Sequence, residues 1–309
     1  MSFSSLLLQQ TINGLSLGAM YALLALGFTL IYGILELINF SHFNVFMVGS
    51  FIAMWTLQSF GLSGQSIILT GLPLVGVLVA AFAVTMLASG ALGVAIERVS
   101  LRPLRGITGP AAMITTIGVS YILFNIILVG VGADAKNFPN PLPPLRWHVG
   151  GAVLELREVL IWAVSLLLMA GLWLFVQKSR LGKAMRATAQ DPEAARMMGV
   201  DVDRVIMTAF FLGSALAGAG GLIFGLYYNF TSFIIGFTAG LRAFTAAVLG
   251  GIGNVPGAMV GGILIGLIEA YGGQFIATEW ADVIIFSILV LVLVFRPAGL
   301  FGRLAPSKS

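Results

Sequence analysis

The chain alternates long uncharged apolar runs with short polar interruptions. No Asp, Glu, Lys or Arg occurs within 1–35, 37–96, 106–133, 159–177, 205–241, 243–268 or 283–295. A membrane-crossing helix needs about 20 mostly apolar residues, so most of these runs hold one crossing and several hold two. Apolar residues on every face hide any 3.6-residue period, and the helical reading rests on run length and on the need to pair every backbone amide inside lipid. The short alternating segments of a β-barrel are absent. The pattern predicts spans at 9–33, 43–59, 66–95, 109–132, 159–177, 205–229 and 280–296, with an interrupted apolar stretch at 241–272.

Composition agrees. Of 309 residues 59% are hydrophobic and 9% charged, against roughly 25% charged in soluble domains. The expected fold class is an all-α polytopic membrane protein with about 8–9 transmembrane helices, organised as one transmembrane domain over 1–309. The opening MSFSSLLLQQ lacks the basic region and small-residue cleavage site of a removable signal, so the first span is expected to be retained.

Positive loops stay on the cytoplasmic side. Arg98, Arg102 and Arg105 form one cluster, Lys178, Arg180, Lys183, Arg186, Arg196 and Arg204 a second, and Arg296, Arg303 and Lys308 a third. Residues 178–204 therefore read as a cytoplasmic loop, and the charge-balanced, proline-rich 134–158 as an external one. The net charge of +4 reflects topology and gives no reason to expect nucleic acid.

Counting crossings from these anchors puts the N-terminus outside and the C-terminus in the cytoplasm. An odd number of crossings must follow residues 230–240, and "VLGGIGNVPGAMVGG" (248–262) resolves the parity, because its glycine pairs and Pro256 break a helix there. The expectation is seven crossings plus a re-entrant pair, or nine. A second interruption, "LELINFSHFNVFMVGS" (35–50), holds Glu36, Asn39, Ser41, His42 and Asn44 within ten residues, with Ser41 placed to cap a helix starting at His42. Broken segments in corresponding places of two halves point to an internal inverted repeat whose breaks meet near the midplane. On that reading Asn39, Ser41, His42, Asn44, Gly250, Gly251 and Asn254 line the pathway. The alternative is an ordinary polar turn, with His42 a hydrogen-bonded structural residue.

Small residues at helical spacing (Gly14 with Gly18, Ser214 with Gly218, Gly257 with Gly261, Gly262 with Gly266) allow close helix packing in lipid. Catalytic chemistry is poorly supplied: there are two histidines and no cysteine, and no HExxH, GxSxG or GxxxxGK[ST] pattern. An intramembrane enzyme, a metal site and a bound cofactor are not expected. Of the acids that might bind a coupling ion, Glu36 and Glu269 alone are flanked by apolar sequence, so a self-sufficient ion-driven carrier is disfavoured, as is a scaffold without transport activity.

The polar island at 186–204 has the pattern of a short helix. Asp191 supplies a cap, Pro192 suits the first helical position, Glu193 favours the positive end of the helix dipole, and Gly199 ends it. Two turns are not stable alone, so the helix must dock on something. Ala194 with Met197 and Ala195 with Met198 share surfaces, and methionine suits an adaptable apolar contact with a second protein. In a chain with no nucleotide site this suggests a lever worked by a separate ATPase.

"EAARMMG" (193–199) matches the EAA-x-x-x-G signature of ABC importer permeases, and "GKAMRATAQDPEAARMMGVDV" resembles its form in the branched-chain amino acid permease family. "NGLSLGAMYALLALGFTLIYGILELINFSH" (13–42), "ERVSLRPLRG" (97–106), "VLGGIGNVPGAMVGG" (248–262) and "FRPAGLFG" (295–302) resemble that family too. The "INFSH" block looks most like the LivH type of subunit. Two positions depart from familiar patterns. Ala209, Phe210, Phe211 and Leu212 stand where other ABC importers carry an Ile-x-Leu-Pro element, as in the branched-chain subgroup, and Phe43 replaces the glycine that usually follows the histidine.

The resemblance implies a permease subunit of a bacterial inner membrane, forming half of a pathway for branched-chain or other small amino acids. Urea or short amides are the alternative solutes. It implies a second, non-identical permease, a periplasmic or extracellular solute-binding protein, and two cytoplasmic ABC ATPases that carry ATP and Mg. Arg186, Asp191, Pro192, Glu193, Ala194, Ala195, Met197, Met198 and Gly199 would form the element those ATPases grip.

Overall fold

The computed structural model describes residues 2–62, 68–104 and 110–302. Arg105, Arg303 and Lys308 lie outside the described residues. Eleven α-helices are present among them: α1 (Phe3–Leu35), α2 (Ser41–Ser59), α3 (Gly71–Ile96), α4 (Ala111–Val131), α5 (Leu156–Lys178), α6 (Arg180–Gln190), α7 (Pro192–Met197), α8 (Val202–Tyr228), α9 (Ile235–Gly250), α10 (Val255–Phe275) and α11 (Ala281–Phe295). Seven helical stretches are long and apolar enough to cross a membrane, and α9 is a shorter apolar helix. The protein is an all-α polytopic membrane protein. Among the described residues the strands form two short pairs: β1 (Lys136–Asn137) with β4 (Phe230–Thr231), and a hairpin of β2 (Arg146–Val149) and β3 (Ala152–Glu155).

The bundle has two ends. At the hairpin end Gly151 packs on Ser5, Leu69 N–H donates to Pro141 O at 3.0 Å, Phe3 meets Phe275, and β1 joins β4. At the loop end Glu36, Glu97, Pro192 and Val202 face one another across a cavity, Gly33 meets Gly253, and Leu300 N–H donates to Leu249 O at 2.8 Å. The chain passes between these ends nine times. α1, α3, α5 and α11 descend to the loop end, and α4, α8 and α10 return to the hairpin end. Two passes are completed by broken segments, 36–40 with α2 and 229–234 with α9.

These breaks define an inverted repeat. α1 packs along α10 as α3 packs along α8; α2 meets α8 as α9 meets α1; α2 packs with α3 and α4 as α9 does with α10 and α11. Each contact has its counterpart when α1 to α4 are exchanged with α8 to α11. Both halves break at a left-handed residue, Glu36 (φ 51) and Asn229 (φ 58), the non-glycine residues with positive φ among those described. In the two halves α1 and α8 run in opposite directions.

α1 and α8 form the centre, with 89% of their most apolar 18-residue window buried, against 17% for α4 and 11% for α11. Small residues permit the central contacts. A Cβ on Gly18 would lie 2.7 Å from Ile263 Cα, and one on Gly49 would lie 2.6 Å from Gly218 Cα, so the backbones approach as lipid-embedded small-residue packing requires.

The structure moves the second break. Residues 251–254 form the tight loop between α9 and α10 at the loop end, and the interruption that reaches into the bundle is 229–234. The reason is that Gly251 and Gly253 (φ 101 and 90) make a turn, with Asn254 capping α10 through Gly257 N–H at 3.0 Å. The α9–α10 pair therefore crosses twice.

Candidate functional site

The loop end carries the polar island at 186–204. α5 stops at Lys178, and Ser179 at once caps α6, its Oγ accepting from Gly182 N–H at 2.8 Å. Arg186 reaches back to Val176 O, satisfying a C-terminal carbonyl of α5 and strapping α6 against it. The polar island is thus two helices, with α6 preceding the short one. In α7 Asp191 Oδ1 accepts from Glu193 and Ala194 N–H at 2.9 and 3.0 Å, and Pro192 opens the helix. Gly199 (φ 82) closes it, its N–H donating to Arg196 O at 2.9 Å while Val200 N–H reaches Ala195 O at 3.0 Å.

Only one α7 side chain is buried, Ala195. Met197 and Met198 are 88% and 85% exposed, and Glu193, Ala194 and Arg196 are exposed as well. The methionines do not pack back onto this chain's own spans. Behind the lever Arg102 pairs with Asp203 at 2.5 Å, fixing the π-helical turn Glu97–Leu101 and the residues after it to the start of α8.

The second site lies where the breaks meet. His42 Nε2 is 3.3 Å from Leu24 O, and Leu24 is eleven residues, or about 16 Å, short of the end of α1. α2 therefore begins deep in the bundle. Asn39 rather than Ser41 organises its start: Asn39 Oδ1 accepts from Ser41 N–H at 3.1 Å and from Ser41 Oγ at 2.5 Å. Asn39, two residues before the first helical residue, reaches the free N–H of Ser41, whereas Ser41 already lies within the first turn. Thr116 Oγ1 accepts from Phe40 N–H at 3.2 Å.

α9 begins at the same depth, because a Cβ on Gly236 would meet Asn44 Oδ1 at 2.5 Å and Phe43 O at 2.8 Å. Glycine is required for this approach of the two broken helices. Asn44 Nδ2 donates to Ser120 O and Oγ at 2.8 and 2.7 Å, tying α2 to α4, while its Oδ1 has no hydrogen-bond partner. Between α2, α4 and α9 opens a cavity of about 490 Å³ walled by Phe40, Phe43, Tyr121, Phe124, Phe233 and Phe237, with Asn44 and Ser120 as its polar groups. The rings are braced edge-on: Phe40–Phe43 centroids lie 5.7 Å apart and Phe124–Phe233 centroids 5.0 Å. Such a space suits a branched apolar group presented beside one or two hydrogen-bonding atoms.

Of the residues expected to line a pathway, Asn44 lines this cavity. Asn39, Ser41 and His42 are buried behind it, and His42 sits edge-on to Phe28 at 4.6 Å. Gly250, Gly251 and Asn254 are not brought there. Gly250 is fourteen residues along α9 from Gly236, about 21 Å away; Gly251 packs on Gly302, and Asn254 Nδ2 donates to Phe301 O at 2.7 Å. The missed aromatic walls had a signal in "YNFTSFIIGF" (228–237), whose uncharged polar residues interrupt an apolar run between aromatics. Phe43 fills the space facing glycine, its ring lying against Gly240.

Known proteins match the chain along nearly its whole length. The family profile described as branched-chain amino acid transport system / permease component matches residues 10–293. The high-affinity branched-chain amino acid transport system permease protein BraD of Pseudomonas aeruginosa is 41% identical over 300 residues, covering 96% of each chain. The corresponding LivH of Escherichia coli is 40% identical over 301 residues, again 96% of each. LivM of Escherichia coli is 31% identical over 156 residues, 48% of this chain and 36% of that protein. No solved structure matches.

Proposed function

The chain belongs to the family of branched-chain amino acid transport permeases, and on that premise we propose that it forms one half of a pathway for leucine, isoleucine and valine. It is a multi-pass inner-membrane permease subunit of an ABC importer and not itself an enzyme. Cytoplasmic ATPases bind at α7, a second, non-identical permease completes the pathway beside α2, α4 and α9, and a solute-binding protein delivers solute at the hairpin end.

The observation that carries the coupling reading is α7 itself, two capped turns anchored by Ala195 alone and offering Met197 and Met198 outward. A loop held this way by its own chain, with apolar side chains in water, is stable where a partner covers them. The sidedness is supported by charge. Arg98, Arg102, Lys178, Arg180, Lys183, Arg186, Arg196, Arg204 and Arg296 lie at the loop end, against Lys136, Arg146 and Arg157 at the hairpin end, and positive loops mark the cytoplasm. The solute class is supported by the aromatic walls of the cavity between α2, α4 and α9, which favour a branched aliphatic side chain over urea or a short amide.

The test is reconstitution in proteoliposomes with the cognate binding protein, second permease and ATPases. ATP-dependent uptake of leucine, with leucine retained on the purified binding protein, is expected. Uptake of urea in place of leucine overturns the solute, and uptake without the ATPases overturns the lever.

A further inference from the structure

A cavity of about 440 Å³ lies directly behind α7. α7 contributes Pro192 and Arg196 and α6 contributes Thr188; the opposite wall is the end of α1 with Glu36 and Leu37, and Leu101, Ala112 and Ile206 close the sides. The cavity therefore touches both the lever and the first residues of the broken segment leading to α2.

Its chemistry is not that of a packing gap. Most of the wall is aliphatic, yet Glu36 and Arg196, both exposed at its mouth, line it and neither has an ion-pair partner among the described residues. Thr188 is 1% exposed and its hydroxyl has no hydrogen-bond partner. A buried hydroxyl without a partner is costly, and opposite charges left unpaired at one cavity are complementary to a molecule carrying both. Glu97 lines the same cavity and is engaged with a partner of its own. A zwitterionic α-amino acid offers an ammonium to Glu36 and a carboxylate to Arg196, and a branched side chain fills the aliphatic remainder.

We infer that this cavity binds a cytoplasmic α-amino acid with an apolar side chain, through which the transported product slows the coupled ATPases. The occupant bridges α7 to residues 36–37, so it holds the lever at a fixed distance from the first break and opposes the movement that ATP drives. The identity of the ligand rests on the solute class proposed above; the site itself rests on the cavity.

The test uses the complete complex in proteoliposomes with the ATPases facing the bath and the binding protein in the lumen. L-Leucine in the bath is expected to lower ATP hydrolysis, while L-leucinamide and 4-methylpentanoate, each lacking one of the two charges, leave it unchanged. Glu36→Gln and Ala112→Leu are expected to raise the half-inhibiting leucine concentration about tenfold, equivalent to about 1.4 kcal/mol, with the leucine-free rate preserved. The chain has no cysteine, so Ala112→Cys supplies a direct readout: bath leucine slows its alkylation. No inhibition up to the solubility limit of leucine, equal inhibition by leucinamide, or alkylation indifferent to leucine overturns the site. ATP-driven release of luminal leucine to the bath without bath inhibition overturns the site alone. Bath inhibition without leucine release overturns the solute assignment and leaves the site standing, and loss of both overturns both.

Discussion

Met197 and Met198 stand 88% and 85% exposed on a helix whose buried anchor is Ala195, so truncating them removes no contact within this chain. Replacing both by alanine should leave the permease's own thermal stability unchanged while weakening the ATPase complex. Full burial of a methionine is worth roughly 1.5–3 kcal/mol, and alanine retains part of that, so each truncation costs about 1–1.5 kcal/mol at the interface. The pair then costs about 2–3 kcal/mol, a roughly 30–150-fold rise in Kd. Titrating labelled ATPase onto nanodisc-held permease reads the Kd, and a melting curve of the permease alone is the control. An unchanged Kd refutes the assignment of α7 as the gripped element. A lowered melting temperature refutes the claim that the methionines face outward.

Three further outcomes follow from the geometry. Asp191→Ala removes the acceptor for Glu193 and Ala194 N–H, a loss of about 1 kcal/mol of cap stability; uptake per ATP hydrolysed should fall, and an unchanged ratio would show that α7 needs no framing. Gly236→Ala places a Cβ 2.5 Å from Asn44 Oδ1, overpacking that costs about 1–3 kcal/mol; leucine uptake should fall while ATPase binding persists, and normal uptake would remove the α2–α9 contact from the pathway. Single cysteines at Val149 and Met197 should react with an impermeant thiol reagent from opposite sides of the membrane; reaction from one side sinks the topology.

Spans and the short helix α7 were readable from sequence because each is local. Run length marks helices in lipid, and Asp191, Pro192 and Gly199 carry α7 within nine residues. α6 was not readable, because its eleven residues include Gly182 and depend on the strap from Arg186 to Val176 O, a contact no local pattern announces. The break at 229–234 lay hidden inside the uncharged run 205–241, where Asn229, Thr231 and Ser232 register in hydropathy only as a shallow dip. Glycine and proline at 250–256 advertised a break but not its depth, which Gly251 and Gly253 settle by turning the chain at the loop end.

The two halves share a topology and differ in how their broken helices are held. α9 is fixed by charge: Arg242 Nε donates to Asp282 at 2.8 Å, and its Nη1 reaches Glu269 at 2.5 Å and Tyr21 Oη at 3.1 Å. That ties α9 to α11, α10 and α1 at once. Removing one member of such a partly buried set leaves a stranded charge at a cost of about 3–5 kcal/mol, so the arrangement resists displacement. α2 is held by neutral hydrogen bonds and by packing: Asn44 to Ser120, Ser50 Oγ with Thr231 Oγ1 at 2.5 Å and His42 to Leu24 O at 3.3 Å, each worth about 1 kcal/mol net, around the buried side chains of Phe46, Met47 and Phe51. α7 faces, across its cavity, the break that precedes α2, whereas 229–234 lies toward the opposite end. The two pseudo-equivalent helices thus differ in the kind of restraint, α9 being held by a charged cluster and α2 by neutral hydrogen bonds and packed side chains, and the one within reach of α7 is the one held without charge.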